Sequence, residues 1–241
     1  MPATAPPVDL EVAVDPDAPT AVIEATVAAA LAGRAAEGPA VRLVVELAEP
    51  APWAAVDAAA EAAGFGGRRD LLQLRRPLPV PADHPLRRAP VSSTRPIAAD
   101  GSDDEAWLRA NNRAFATHPD QGRQSAATLA AQRAEPWYDR RGFLVADDAD
   151  RPGELAGFCW TKVHPATGDD PALGEIYVIG VDPAHRGEGL GPGLVLAGLD
   201  HLAAEGLGTA NLYVDDDNAP AVALYDRLGF AVHARRRVYS P

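Results

Sequence analysis

Apolar positions recur along this chain with two periods, about 2 and about 3.6 residues, and their succession sets out the elements. From residue 94 onward, Thr94–Ile97 reads as a first strand. Asp103–Phe115 reads as a helix, with acidic residues at its start and Ala106, Leu108, Ala110 and Phe115 interleaved with Asn111 and Asn112. Ala126–Ala134 is a second helix. Gly142–Ala146 and Glu154–His164 read as antiparallel strands joined by the turn-rich Asp147–Gly153. Glu175–Val181 has the pattern of a buried strand and ends at Asp182-Pro183. Gly189–Ala204 is a helix, Thr209–Val214 a strand, Ala219–Leu228 a helix and Val232–Val238 a last strand. This order predicts a mixed α/β layer fold.

Residues 1–76 are alanine-rich and alternate strand and helix patterns, whereas residues 77–97 carry six prolines and little periodicity. The expected organisation is a first region over 1–76, a proline-rich linker over 77–93 and a second region over 94–241. A repeat relates the two regions. Leu10–Pro16 echoes Ile176–Pro183, and Gly64-Phe65 echoes Gly229-Phe230. The spacings, Asp15 to Asp182 and Gly64 to Gly229, are 167 and 165 residues. The first region therefore reads as the second half of the same domain, without the strands expected before Leu10.

Composition narrows the function. With 22 basic against 34 acidic residues the formal charge is −12, which disfavours nucleic acid and anionic membranes as partners. One cysteine forms no internal disulfide, and no Cys/His spacing reads as a metal site. No apolar run approaches the roughly 18 residues of a membrane span. Met1 to Val14 lacks the basic and apolar regions of a signal peptide. The expectation is a cytoplasmic monomer without metal, holding any anionic ligand by a local device.

Val181–Gly191 offers such a device. A buried strand runs into Arg186-Gly187-Glu188-Gly189-Leu190-Gly191 and then a helix. Glycines admit close approach of a ligand to the backbone, and the free N–H groups of a helix start bind phosphate groups. No G-K-[ST] follows, so the loop is not a Walker A motif. The pattern Arg186-x-x-Gly189-x-Gly191 resembles the acetyl-CoA motif of the GNAT acyltransferases. The corresponding Asp15–Ala21 has neither glycine nor arginine.

Several side chains are candidates for chemistry. Glu175 opens the buried strand, and reads equally well as a solvated strand start or as a general base for an amine. Tyr225 could be a packed helix aromatic or a proton donor, and its counterpart at the repeat spacing is Ala60, so the fold does not demand tyrosine there. Trp160, Lys162 and His164 share a strand face, read as the wall of a pocket. Cys159 reads as core.

Asn218-x-x-Ala221-x-x-Leu224-Tyr225-x-x-Leu228-Gly229-Phe230 resembles the late GNAT helix, whose tyrosine protonates the departing thiolate of coenzyme A. Asn111–Gly122, Ala134–Trp137, Gly157–Pro165 and Gly174–Pro183 resemble a narrower branch, the tandem-domain GNAT enzymes of mycothiol synthesis. The resemblance implies a GNAT fold, complete in the C-terminal region and reduced to a half-repeat in the N-terminal one. It also implies acetyl transfer from acetyl-CoA to the cysteinyl amine of Cys-GlcN-inositol, with Glu175 as base and Tyr225 as acid. Acetyl-CoA contacts fall on Ile179, Gly180, Val181, Arg186, Gly187, Glu188, Gly189, Leu190, Gly191 and Pro192, and on Asn218, Ala219, Pro220, Ala221, Val222 and Ala223. Amine-substrate contacts fall on Asp120, Lys162, Glu175 and Tyr213. A strand N–H near Val181 would hold the thioester oxygen, with Gly180 letting the strand splay. Asp120 departs from the branch's usual glutamate. The competing readings are a GNAT enzyme for another small amine or a protein N-terminus, and a non-catalytic acetyl-CoA-binding protein.

Overall fold

The structure, a computed structural model, describes residues 8–32, 41–88, 93–118, 121–168 and 170–241. It holds nine strands and six α-helices among these residues: β1 (Val8–Glu11), α1 (Thr20–Ala32), β2 (Val41–Ala48), α2 (Trp53–Ala62), β3 (Gly67–Pro77), β4 (Thr94–Pro96), α3 (Asp104–Ala114), α4 (Ala126–Arg133), β5 (Phe143–Asp147), β6 (Leu155–His164), β7 (Leu173–Val181), α5 (Leu190–Ala204), β8 (Thr209–Asp215), α6 (Ala219–Arg227) and β9 (Ala231–Ser240). The elements expected from residue 94 onward are all present, with ends shifted by up to two residues.

The chain forms two compact units, one of residues 1–75 with 213–241 and one of residues 76–212. Residues 213–241 thus group with the N-terminal residues rather than with residues 76–212. Hydrogen bonding is the reason: the C-terminal β9 is antiparallel both to β2, with Val44 opposite Val238, and to β3, with Asp70 opposite Arg237.

In the first unit β1 and β2 run parallel. Their inner side chains, with Ile23 and Val27 of α1 and Val56 and Ala60 of α2, make one apolar core. The repeated Gly-Phe pair has a local cause. Gly64 and Gly229 adopt φ of +88° and +79°, a left-handed turn that glycine enters without a Cβ clash. The following Phe N–H then donates back into each helix, from Phe65 to the Ala60 carbonyl and from Phe230 to the Tyr225 carbonyl, both at 3.0 Å. Ala60 and Tyr225 thus hold the same place in two identical caps. Arginines of β9 are answered by carboxylates, as where buried Arg237 pairs with Asp57 at 2.8 Å and Asp70 at 3.0 Å.

In the second unit the strand order is β8-β7-β6-β5-β4. Neighbours from β4 to β7 are antiparallel, and β7 is parallel to β8. Helix α5 covers one face closely. A Cβ on its Gly198 would lie 2.6 Å from Cys159 Sγ and 2.9 Å from Ile176 Cδ1, so glycine is needed there for the approach. The opposite face packs on α3 and α4 through an aromatic core. Trp160 stacks on Phe143 at 4.1 Å between ring centroids, and Trp107 meets Phe143, Phe158 and Trp160 edge-on. The proline-rich segment is tied to this unit, because Arg87 donates to Asp200 of α5 at 2.7 and 2.6 Å and to the Val80 carbonyl.

Candidate active site

Strand β7 positions most of the candidate groups in the second unit, and one irregularity in it decides where they point. Trp160 of β6 faces Val178 and Thr161 faces Ile176, which leaves Tyr177 as an extra residue, a β-bulge. Tyr177 and Val178 therefore both turn to the aromatic face, while Ile176 points at α5. On the other side, β7 runs parallel to β8, with Gly174 opposite Ala210 and Glu175 opposite Asn211. Gly180 lies near the end of β7. It is required because a Cβ there would lie 2.6 Å from Cζ of the buried Phe158 ring.

Glu175 is buried at 8% exposure, so the solvated reading fails. Its Oε2 lies 2.6 Å from Nε2 of the half-buried His164. A carboxylate only accepts, so the imidazole donates. Lys162 stands directly opposite Glu175 in the β6–β7 register. Its Nζ lies 4.8 Å from the Trp137 ring centroid and 5.5 Å from that of Tyr177, a cation held over aromatic faces. The Tyr177 phenol is pushed up in pKa, mainly by burial, and its oxygen lies 3.4 Å from Gln132 Nε2. Trp160, expected on a pocket wall, is instead fully buried core, because α3 and α4 close over it. The rings beside Lys162 are instead the half-buried Trp137 and Tyr177. Cys159 is buried against α5 with its thiol pushed up to about 12 by desolvation.

The loop before α5 has an open backbone. Gly187 and Gly189 adopt φ of +87° and +82°, and nothing lies within 4 Å of a Cβ built on either. Gly189 caps α5 without any side-chain hydrogen bond, so the first-turn amides meet no capping side chain. Arg186 is exposed and donates to the Ala114 carbonyl at 3.1 Å, and Glu188 is exposed beside it. Ile179 and Val181 are half-buried and Gly180 is buried at the end of β7, while Leu190, Gly191 and Pro192 open α5. This open, glycine-turned backbone at a helix start fits a pyrophosphate-bearing ligand such as acetyl-CoA.

The remaining candidates lie in the first unit. Asn218 caps α6, accepting from the Ala221 N–H at 3.3 Å, and Ala219, Pro220, Ala221, Val222 and Ala223 form the first turns. Tyr225 is buried, with its ring edge-on to Phe230 at 5.7 Å. Tyr213 receives a hydrogen bond from Gln73 Nε2 at 2.7 Å and donates to Glu46 at 3.1 Å. Burial first, then the Glu46 charge, pushes its phenol up to about 12. Asp120 lies outside the described residues.

Residues 107–230 match the acetyltransferase (GNAT) family. The chain belongs to that family. This GNAT chain is 49% identical over 173 residues to a mycothiol acetyltransferase of Kocuria rhizophila, covering 71% of this chain and 57% of that one. A mycothiol acetyltransferase of Acidimicrobium ferrooxidans is 51% identical over 177 residues, with 72% and 54% covered. The chain thus spans slightly more than half the length of these relatives. Among solved structures, a GCN5-related N-acetyltransferase from Sphaerobacter thermophilus aligns with a TM-score of 0.62 at 21% identity, covering 92% of this chain and 65% of that one. A tandem GNAT protein from the clavulanic acid pathway aligns at 0.52 and 20%, covering 92% and 68%. Both show the shared GNAT fold.

His164 was expected on the pocket face but without a partner, and Trp137 and Tyr177 had no expected role. Tyr177 was reachable by alternation from Glu175, whereas Trp137 comes to Lys162 through the packing of the segment after α4. Among the described residues, Asp139, His201 and Glu205 are the one group whose ligand atoms could surround a metal ion. Arg141 already pairs with both carboxylates, at 3.1 and 3.2 Å. No helix of the described residues is long and apolar enough to cross a membrane.

Proposed function

We propose that this chain is an acetyl-CoA-dependent N-acetyltransferase whose acceptor is the cysteinyl amine of Cys-GlcN-inositol and whose product is mycothiol. The observation that carries this reading is Glu175 of β7, a buried carboxylate held by His164. The 49% and 51% identity to mycothiol acetyltransferases supports the acceptor.

The open loop Arg186–Pro192 holds the pyrophosphate of acetyl-CoA, and Ile179 to Val181 line its pantetheine arm. Asn218 to Ala223 complete the acetyl-CoA site, while Asp120, Lys162, Glu175 and Tyr213 contact the amine substrate. Glu175 accepts a proton from the substrate ammonium, whose ordinary pKa of about 7.7–8.0 makes this step easy near neutral pH. The freed amine forms a bond to the thioester carbonyl carbon, the carbon–sulfur bond breaks, and the Tyr225 phenol protonates the departing sulfur. A backbone N–H of β7 near Val181 steadies the carbonyl oxygen. No metal takes part, and the enzyme acts as a cytoplasmic monomer with a GNAT-like repeat over 1–76 and a catalytic region over 94–241.

The test is mass spectrometry of the purified chain with acetyl-CoA and Cys-GlcN-inositol. One acetyl group gained on nitrogen, lost in Glu175→Ala and strongly slowed in Tyr225→Phe, is the expected result. Acetyl-CoA binding with no acetylated product would overturn the mycothiol reading, and a panel of other amines would then decide between another acceptor and a binding protein.

A further inference from the structure

Beneath the loop lies a charged group that the proposed chemistry does not use. His185 ends the 3-10 turn Pro183–His185, immediately before Arg186. Its Nε2 lies 2.8 Å from Oδ2 of Asp148, in the turn between β5 and β6, and its Nδ1 lies 2.9 Å from Oε2 of Glu188, in the loop itself. Both partners are carboxylates, which accept and cannot donate, so both ring nitrogens must carry a proton. The geometry is that of an imidazolium. A neutral ring could serve one carboxylate and would turn a lone pair on the other.

The two carboxylates are not equivalent. Asp148 is buried and has other partners: Arg151 Nε at 2.6 Å and the backbone N–H groups of Asp150 and Arg151. Glu188 is 56% exposed on its side chain and stands in the loop that must accept an anion. Behind His185, the buried Asp182 is answered by Arg113 at 2.6 Å and Arg151 at 3.5 Å, and Arg113 also meets Glu154. With Arg109, 2.9 Å from Glu154, three arginines meet the three carboxylates Asp148, Asp182 and Glu154, which leaves His185 as the partner that answers Glu188.

We propose that His185 is a positioning residue for the loop: as an imidazolium it ties Glu188 to the buried Asp148 and cancels the Glu188 charge beside the anion site, so acetyl-CoA binds more weakly once His185 loses its proton. This rests on the reading of the loop as the acetyl-CoA pyrophosphate site. Hydrogen bonds to Asp148 first, then to Glu188, raise the His185 pKa. The protonated form therefore persists above the usual value of about 6.5. Affinity is full below the raised value and falls as pH rises through it.

The experiment is calorimetric titration of the full chain with acetyl-CoA from pH 7 to 9, where the phosphates of the ligand are already ionised. The expected result for the unmodified protein is a loss of about fivefold in affinity across the range, the size of a part-exposed ion pair. Glu188→Gln removes the charge that becomes repulsive, and it should flatten the profile at the tighter level. Being a change at an exposed side chain, it also spares the fold. His185→Gln should flatten the profile at the weaker level. A flat profile in the unmodified protein, or an unchanged slope in Glu188→Gln, overturns the role of His185 and leaves the loop assignment standing. Absence of binding at every pH overturns both.

Discussion

Nε2 of His164 and Oε2 of Glu175 are 2.6 Å apart, and this pair joins a buried carboxylate to a half-exposed imidazole. The pairing gives the proposed base a fixed orientation and a hydrogen-bonded neighbour at the edge of the site. Cross-strand placement on β6 and β7 is what brings the two together.

Replacing Glu175 by Gln keeps the shape and removes the base. Turnover should drop by at least about a hundredfold, the usual yield of a positioned general base. His164→Ala frees the Glu175 carboxylate to change rotamer and should lower kcat by about tenfold, with little change in the KM for acetyl-CoA. Steady-state kinetics with both substrates varied separates these effects.

Trp160 is fully buried, yet its Nε1 has no hydrogen-bond partner. Trp160→Ala should destabilise the protein by about 3–5 kcal/mol, as expected for emptying a large aromatic site. Trp160→Phe retains the stack on Phe143 and removes the unsatisfied N–H, so its cost should be below about 1.5 kcal/mol. Urea unfolding followed by circular dichroism provides both values.

Asp148 accepts from His185, Arg151 and two backbone N–H groups, and the bond from His185 contributes most to holding its carboxyl well below the usual carboxylate range. A depressed folded-state pKa stabilises the fold fully above the unfolded value of about 3.9, and that contribution fades as pH falls through the folded value. Asp148→Asn should therefore lower Tm clearly at pH 7. The gap between variant and parent should narrow in melts recorded below pH 3.

Cys159, the single cysteine, has a thiol pushed up to about 12 and no exposed surface. Iodoacetamide at pH 8 should leave the folded protein unmodified and alkylate it fully in urea. Intact-mass measurement reads both states, and labelling of the folded protein at the rate of a free thiol would contradict the burial.

Much of the architecture was legible because it is local. Alternation between Glu154 and His164 predicted the strand found at Leu155–His164, and the pattern of Gly189–Ala204 predicted α5 at Leu190–Ala204. Cys159 was legible as core for the same reason. Pairing was not. The bulge at Tyr177 was not foreseen, because a bulge is a count of two residues against one on a neighbour, and the neighbour is not written in the strand. Trp160 shows the same limit, since period two placed it with Lys162 on one face but could not say that α3 and α4 would cover that end of the face.

The sequence by itself determined the order of elements, the glycine-turned loop at Arg186–Gly191, the repeated Gly-Phe caps and the presence of Glu175 at the head of a buried strand. Each depends on residues within one or two turns of chain, where spacing and backbone preference act directly. Tertiary structure alone decided that Glu175 is buried against His164, that Lys162 lies over Trp137 and Tyr177, and that β9 pairs with both β2 and β3. It also set His185 between Asp148, 37 residues upstream, and the loop. Such contacts follow from which surfaces are removed from water together, and burial is a property of the whole packed chain rather than of any segment.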